Sequence, residues 1–405
     1  MPQGIERAEA SLAELRELTE SAGGRVAGSL LQQRPLADPA TLIGSGKVAE
    51  LAATARGADL VIFDCELSAT QQRNLEQALD CRVLTRTQLI LDIFARHAHT
   101  REGQYQVELA QLEYRLPRLA GQGRSLSRLG GGIGTRGPGE SKLESDRRRI
   151  HQRIRVLKLA VERVRSQRGE QRRQRESVPL ATVALVGYTN AGKSTLFNAL
   201  TGSAVLTSGR MFATLDPTIR SLRLPSKRTV LLSDTVGFLR DLPHGLINAF
   251  RATLEEVTRA SLLLVVADAA SSEREQHQAQ VRQVLAELGV AATPQILVWN
   301  KSDIMTDADA EPAITGSGPQ PLLVSARTGA GLEALLQRLD EELPLDRLQE
   351  VHLYIPYPAG KVLHLLHERG QILAESHSGT RVELVARVPA SLLPRLQEFR
   401  PQGKP

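Results

Sequence analysis

Apolar positions along the chain change period several times. Between residues 22 and 100, short apolar runs alternate with amphipathic stretches. Arg25–Ser29, Ala58–Asp64 and Cys81–Thr85 read as strands, and Gly46–Ala55, Ala69–Leu79 and Gln88–Ala98 as helices, which predicts a small parallel α/β sheet. From residue 104 the spacing becomes heptad-like. Tyr105, Leu109, Leu112, Leu116 and Leu119 form one stripe, and Leu143, Ile150, Ile154, Leu157, Val161 and Val164 another. They predict an antiparallel helical hairpin whose first arm is kinked at Pro117. Ser166–Ser177 is polar and charged and reads as a linker. A third region follows, and after Pro344 a tail reads strand (Val351–Ile355), helix (Gly360–Arg369), strand (Ile372–His377), strand (Val382–Val388), helix (Ala390–Phe399). The expected division is 1–103, 104–177, 178–345 and 346–405.

Composition narrows the classes. At 405 residues, with 41% apolar and 24% charged residues, the chain is an ordinary multidomain globular protein. The longest strictly apolar stretch, Leu262–Ala267, is too short to span a membrane, and the first residues lack secretory-signal features. Two cysteines, Cys65 and Cys81, give no C-x-x-C; they read as plain buried thiols in a reducing compartment. Aromatics at 3% disfavour a stacking-type single-strand binder. Charge is localised: residues 141–175 hold thirteen basic and four acidic residues, more net charge than the +6 of the whole chain. An Arg-dominated stripe reads as a phosphate-backbone footprint.

The chemistry sits in the third region. An apolar strand, Thr182–Val186, runs into Gly187, Tyr188, Thr189, Asn190, Ala191, Gly192, Lys193 and Ser194, with an apolar helix from Thr195. This is G-x-x-x-x-G-K-[ST] between a strand and a helix. Its backbone N–H groups cradle phosphates, its lysine reaches the β- and γ-phosphates, and its serine hydroxyl ligates Mg²⁺. Gly44-Ser45-Gly46-Lys47 lacks the first glycine and has Val48 where a hydroxyl is needed, so it reads as a loop and helix start. A second strand ends in Asp234, Thr235, Val236 and Gly237, where the aspartate holds Mg²⁺ through water and the glycine N–H turns to a γ-phosphate. Gln295–Trp299 leads to Asn300, Lys301, Ser302 and Asp303. Asp303 accepts from guanine N1–H and the 2-amino group, donors that adenine lacks. Lys301 lies across the base, and Asn300 ties this loop to the first. Ser325, Ala326 and Arg327 follow Val324, with the Ala326 N–H aimed at guanine O6. Between the first two loops, Phe212, Ala213, Thr214, Leu215, Asp216, Pro217 and Thr218 form the expected switch, and both Thr214 and Thr218 qualify by position as its magnesium-ligating threonine.

These motifs in this order resemble a Ras-like GTPase domain of the translation-factor-related class. With Phe212–Thr218, Asp234–Phe238, Asp241-Leu242-Pro243-His244 and the glycine-rich Gly130–Gly139 before Glu140, the chain resembles the HflX family of ribosome-associated GTPases over residues ~22–345. The resemblance implies an α/β fold: a Ras-like P-loop GTPase domain preceded by a small parallel α/β subdomain with a helical hairpin, and followed by a small α+β C-terminal domain. It implies Thr214, with Ser194, as the magnesium ligands. It implies GTP and GDP as ligands, and the ribosome as partner, mainly the large subunit and its RNA. Some members split ribosomes under stress. Neither DNA nor stable membrane insertion is expected; the expected state is a cytoplasmic monomer. A GTP-regulated RNA-modification or ribosome-assembly factor is the alternative.

After Gly237 stands Phe238, where Ras has the glutamine that orients the attacking water. No replacement is evident, although Asp241 and His244 are near, and Asn190 is compatible with a monovalent cation. The loop Gly130–Gly139 is either a connector or a backbone that approaches something closely, a second phosphate site included. His364 and His367 share a helix face, with a structural role expected.

Overall fold

The computed structural model describes residues 2–119, 138–175, 180–203, 211–212, 217–240, 254–305, 320–343, 348–379, 381–389 and 392–401. The chain opens with helix α1 (Pro2–Ser21), ahead of the first element that the apolar pattern predicts. Its signal is the spacing of Leu12, Leu15 and Leu18, the last two buried and the first packed beside them.

Then come α2 (Ser45–Thr54), β1 (Leu60–Phe63), α3 (Ala69–Leu79), β2 (Arg82–Thr85) and α4 (Arg86–His97). Capping boxes start α3 (Ser68 with Gln71) and α4 (Thr85 with Gln88), satisfying amide donors that a helix start otherwise leaves unpaired. The strands pair in parallel, but the sheet has two strands rather than the three expected. Arg25–Ser29 forms none. Its apolar residues, Val26 and Ala27, are adjacent instead of alternating, so no one face of it has apolar surface to bury.

Helices α5 (Arg101–Leu119) and α6 (Pro138–Arg175) pack against each other. Arg153 forks onto Glu108, and Lys158 pairs with Glu113 between them. Helix α5 buries a second face, Gly103, Gln106, Val107 and Ala110, against the N-terminal core. Pro117 lies in its last turn. The expected linker at Ser166–Ser177 is helical as far as Arg175, because its Arg, Gln and Glu residues favour helix and only Gly169 opposes it. The loop Gly130–Gly139, up to residue 137, lies outside the described residues.

The third region is a six-stranded sheet: β3 (Thr182–Gly187), β4 (Thr218–Arg223), β5 (Thr229–Asp234), β6 (Leu262–Asp268), β7 (Gln295–Asn300) and β8 (Leu322–Leu323). The order is β4-β5-β3-β6-β7-β8, parallel throughout except for β4. Helices α7 (Lys193–Thr201), α8 (Glu255–Thr258), α9 (Arg274–Glu287) and α10 (Leu332–Glu342) accompany it. Val183–Val186 are buried on both faces, which is why β3 is uniformly apolar. From β3 the chain builds one side of the sheet and then the other. The carboxyl end of β3 is therefore the switch point at which such sheets hold ligands.

The tail is a three-stranded antiparallel sheet of β9 (Leu348–Pro356), β10 (Gln371–Ser378) and β11 (Arg381–Pro389), ordered β10-β11-β9. One face packs on α11 (Gly360–Arg369). The expected helix Ala390–Phe399 reduces to α12 (Leu393–Leu396) and a 3₁₀ turn, Gln397–Phe399, with Pro394 in the first turn. Among the described residues no helix is long and apolar enough to cross a membrane. Cys65 is exposed and Cys81 half-buried, so the expectation of two buried thiols fails: Cys65 follows β1 in a turn and Cys81 precedes β2, both beyond the covered strand interiors.

Candidate nucleotide-binding site

The loop after β3 ends at Gly192, which has φ +85° and caps α7. A Cβ there would lie 2.3 Å from Asn300 Nδ2, so only glycine permits both the left-handed backbone and the close approach. Lys193 is 6% exposed. Its Nζ donates to the Tyr188 carbonyl at 2.8 Å and the Gly187 carbonyl at 3.2 Å, which folds the ammonium back along the loop. Burial pulls its pKa down to about 8, and the Asp234 carboxylate partly opposes that. Ser194 is half-buried and Thr195 exposed at the start of α7.

Asp234 is fully buried at the end of β5, paired in register with Leu185 on β3 and Thr218 on β4. Thr235 Oγ1 donates to the Leu185 carbonyl at 2.5 Å. Phe238 then forms a bridge beside the first loop. Its N–H donates to the Gly187 carbonyl at 3.0 Å, and its carbonyl accepts from the Thr189 N–H at 2.8 Å. The ring is buried among Val257, Val284 and Leu285, away from any water-orienting role.

At the far side, Asn300 Nδ2 donates to the Ala191 carbonyl at 3.0 Å, and its Oδ1 accepts from the Ala326 N–H at 3.0 Å. One amide side chain thus joins three loops. Ser325 Oγ donates to Asp303 Oδ1 at 2.6 Å; that bond leads the causes holding the Asp303 carboxyl below its usual range, so it is an acceptor at neutral pH. Lys301, at φ +65°, pairs with Asp268 Oδ2 at 2.7 Å. Ser302 starts a 3₁₀ turn, and Arg327 lies in the turn after Ala326. The structure therefore gathers Gly187–Thr195, Asp234–Gly237, Asn300–Asp303 and Ser325–Arg327 around the carboxyl ends of β3, β5 and β7. Of the switch segment, Phe212 is buried edge-to-face on Phe94. Ala213, Thr214, Leu215 and Asp216 lie outside the described residues, as do Asp241 and His244.

Several site neighbours carry no sequence signal. Tyr188, in the loop, donates its hydroxyl to Glu14 of α1, accepts from the Arg240 N–H at 2.9 Å, and stacks on His277 with ring centroids 3.8 Å apart. Glu14 in turn pairs with Arg86, which also binds Asp64. The Met211 N–H donates to Ser21 Oγ. These partners lie between 22 and 190 residues apart in the chain, beyond any local spacing rule. His367 stands 3.5 Å from Glu375 in the tail, remote in sequence from these loops.

Three family models match in tandem: "GTP-binding GTPase N-terminal" over residues 9–95, "GTP-binding GTPase Middle Region" over 97–175, and "50S ribosome-binding GTPase" over 182–301. A GTPase HflX from Caldanaerobacter subterraneus is 46% identical across 96% of this chain and 90% of its own length. The Escherichia coli GTPase HflX is 44% identical across 87% of this chain and 83% of its own. Among solved structures, a GTP-binding protein from Sulfolobus solfataricus in complex with GDP aligns at 25% identity and TM-score 0.43, covering 81% of this chain and 94% of that one. With relatives this similar over nearly its whole length, the chain belongs to the HflX family of GTPases, which bind and hydrolyse GTP.

Proposed function

We propose that the chain is a GTP-driven switch acting on the ribosome, with residues 187–195 holding the phosphates, Asp303 reading guanine and Lys301 covering the base face. Asn300 orients both loops, and the Ala326 N–H, already bonded to Asn300, is shared with guanine O6. A magnesium ion fits the donors present: a hydroxyl at Ser194 and a fully buried carboxylate at Asp234, both hard oxygen ligands. Ser194 and Thr214 would hold it directly and Asp234 through water. When bound, it supplies positive charge to the β- and γ-phosphate oxygens.

The partner is the large ribosomal subunit and its RNA. The observation that supports this is the arginine row on α6: Arg148 and Arg149 have side chains 81% exposed, and Arg153 and Arg155 are exposed further along. Glu144 and Asp146 pair with Arg148 and Arg149 at 3.4 and 3.9 Å, too exposed to neutralise them, while Arg153 is the member of the row already forked onto Glu108 at 2.7 Å. On this reading the protein works in the cytoplasm as a monomer and splits or recycles stalled ribosomes, as some members of the family do. Co-sedimentation with separated subunits tests it, with GDP and with a non-hydrolysable GTP analogue. Binding to large subunits is expected to be stronger with the analogue. Replacing Arg147, Arg148 and Arg149 by Ala should flatten the log–log salt slope by roughly 0.7–0.9 per lost phosphate contact. Binding that ignores both nucleotide and salt would exclude this reading.

A further inference from the structure

Phe212, at the entrance to the switch segment, has φ +59°, a left-handed backbone that a bulky residue keeps only where its surroundings hold it there. The N-terminal region supplies those surroundings. Phe212 is 3% exposed, and its ring packs edge-to-face on Phe94 of α4, with centroids 4.5 Å apart and planes at 69°. One residue earlier, Met211 is buried in the same core, beside Leu15 and Leu18 of α1 and Ile90 of α4. Its N–H donates to Ser21 Oγ, at the end of α1, at 2.9 Å. One aromatic and one polar contact thus fix the chain where it enters the switch. At the other end Thr218 lies in β4, paired in register with Asp234. Only five residues, 213–217, separate the two fixed points.

We infer that Phe94 and Ser21 are positioning residues of the GTP switch: by holding Phe212 and Met211 they set the point from which the switch segment engages a γ-phosphate. The left-handed backbone at Phe212 is strained in the free chain, and the N-terminal core offsets that strain. A short segment anchored at both ends has less conformational freedom to lose when a γ-phosphate orders it. The anchors therefore favour GTP. GDP, which lacks the group that orders a switch, gains nothing from them. Both anchors come from outside the nucleotide-binding sheet, and Ser21 stands 190 residues before its partner. This inference rests on the reading of Phe212–Thr218 as the switch.

The test uses the full chain and its Phe94→Leu, Ser21→Ala, Phe212→Leu and Thr214→Ala variants. Affinities for GDP and for a non-hydrolysable GTP analogue, single-turnover GTP hydrolysis and Tm are measured at fixed magnesium and potassium. Phe94→Leu and Ser21→Ala should each weaken analogue binding by roughly 3- to 10-fold, the scale of one aromatic pair or one net hydrogen bond, and slow hydrolysis with it. Their GDP affinity should stay within about twofold of the parent's, the split that a merely structural role does not produce. Phe94→Leu should lower Tm and Ser21→Ala hardly change it, so a loss shared by both is not a stability effect. In the Phe212→Leu background, Phe94→Leu should move the ratio of analogue to GDP affinity by less than about twofold, because the ring that it holds is gone. Equal losses of GDP and analogue would overturn the inference. So would tighter analogue binding or faster hydrolysis, the mark of a restraint rather than a support. Thr214→Ala separates the underlying reading: it should lose analogue affinity and keep GDP affinity. If it does so while Phe94→Leu and Ser21→Ala match the parent, the switch reading stands and this inference alone falls. If Thr214→Ala itself matches the parent, the switch reading falls and takes this inference with it.

Discussion

Two glycine–lysine loops in this chain look alike in sequence and differ in everything physical. Gly44–Lys47 opens α2 as a bare helix start: Gly44 caps it without a side-chain bond, and Lys47 pairs with Glu50 one turn on, in solvent. Gly187–Lys193 leaves a fully buried parallel strand, turns at a left-handed glycine under Asn300, and buries its lysine on two of its own carbonyls. A phosphate site depends on converging backbone donors and a desolvated ammonium, and a lysine after glycines supplies neither alone. Lys193→Ala should therefore weaken GTP binding by at least about a hundredfold, the scale of removing a buried charge-assisted contact. Lys47→Ala should leave it within about twofold. Equal losses in fluorescent-nucleotide titrations would show that the first loop also binds phosphate.

The base loop sharpens the same contrast, because there one carboxylate rather than a whole loop sets the outcome. Asp303 is kept ionised chiefly by Ser325 and accepts but does not donate. Asp303→Asn is expected to lower GTP affinity and shift preference toward xanthosine triphosphate by about a hundredfold or more, since xanthine presents a carbonyl where guanine has an amine. Competition between the two nucleotides reads this directly; an unchanged guanine preference would remove Asp303 from the base site.

Protonation separates the loops in a third way. Burial lowers the Lys193 pKa from 10.5 to about 8 in the nucleotide-free chain. The folded value lies below the unfolded one, so the buried ammonium destabilises the fold below pH 8. That penalty fades as pH rises from about 8 toward 10.5. Phosphate binding needs the ammonium. Affinity for GDP should be level below pH 8 and about tenfold weaker near pH 9, where roughly a tenth of the lysine stays protonated. Calorimetric titrations at pH 7, 8 and 9 check it, and Lys47→Ala should superimpose on the parent throughout. A flat parent profile would mean that the ammonium is less desolvated than its surroundings require.

Legibility followed the same division. The phosphate and base loops could be read because their chemistry restricts residue type at fixed spacing, and the uniformly apolar β3 and β6 because both their faces are covered. Helix α1 went unread although Leu12, Leu15 and Leu18 mark it, since its importance is tertiary: Glu14 meets Tyr188 and Ser21 meets Met211 across the whole N-terminal region. Arg25–Ser29 looked like a strand from residue preference alone, but strand structure needs a neighbour and a buried face. Ser166–Arg175 looked like a linker from polarity, although its residues are good helix formers. Lys301 was read as a base cover, while its partner Asp268, 33 positions away on another strand, was not.

That pair gives the smallest expected effect. Lys301 Nζ and Asp268 Oδ2 are 2.7 Å apart, with both side chains about a quarter exposed. Two outcomes follow from two limits. A fully buried pair broken on one side would cost affinity steeply, whereas a solvent-screened pair is worth about 0.2–1 kcal/mol, or roughly 1.5- to 5-fold. The exposure places this pair near the second limit. Asp268→Asn should thus weaken GTP and inosine triphosphate binding alike by roughly 2- to 5-fold, because the lysine stem loses its anchor over the base face but every base donor and acceptor remains. The ratio between the two nucleotides should not move, unlike in Asp303→Asn. Added salt, which screens the ion pair in the parent, should narrow the gap between parent and variant. A change in the nucleotide ratio would show that Asp268 touches the base edge; a loss as large as that of Lys193→Ala would show that the ion pair is far drier than its exposure indicates.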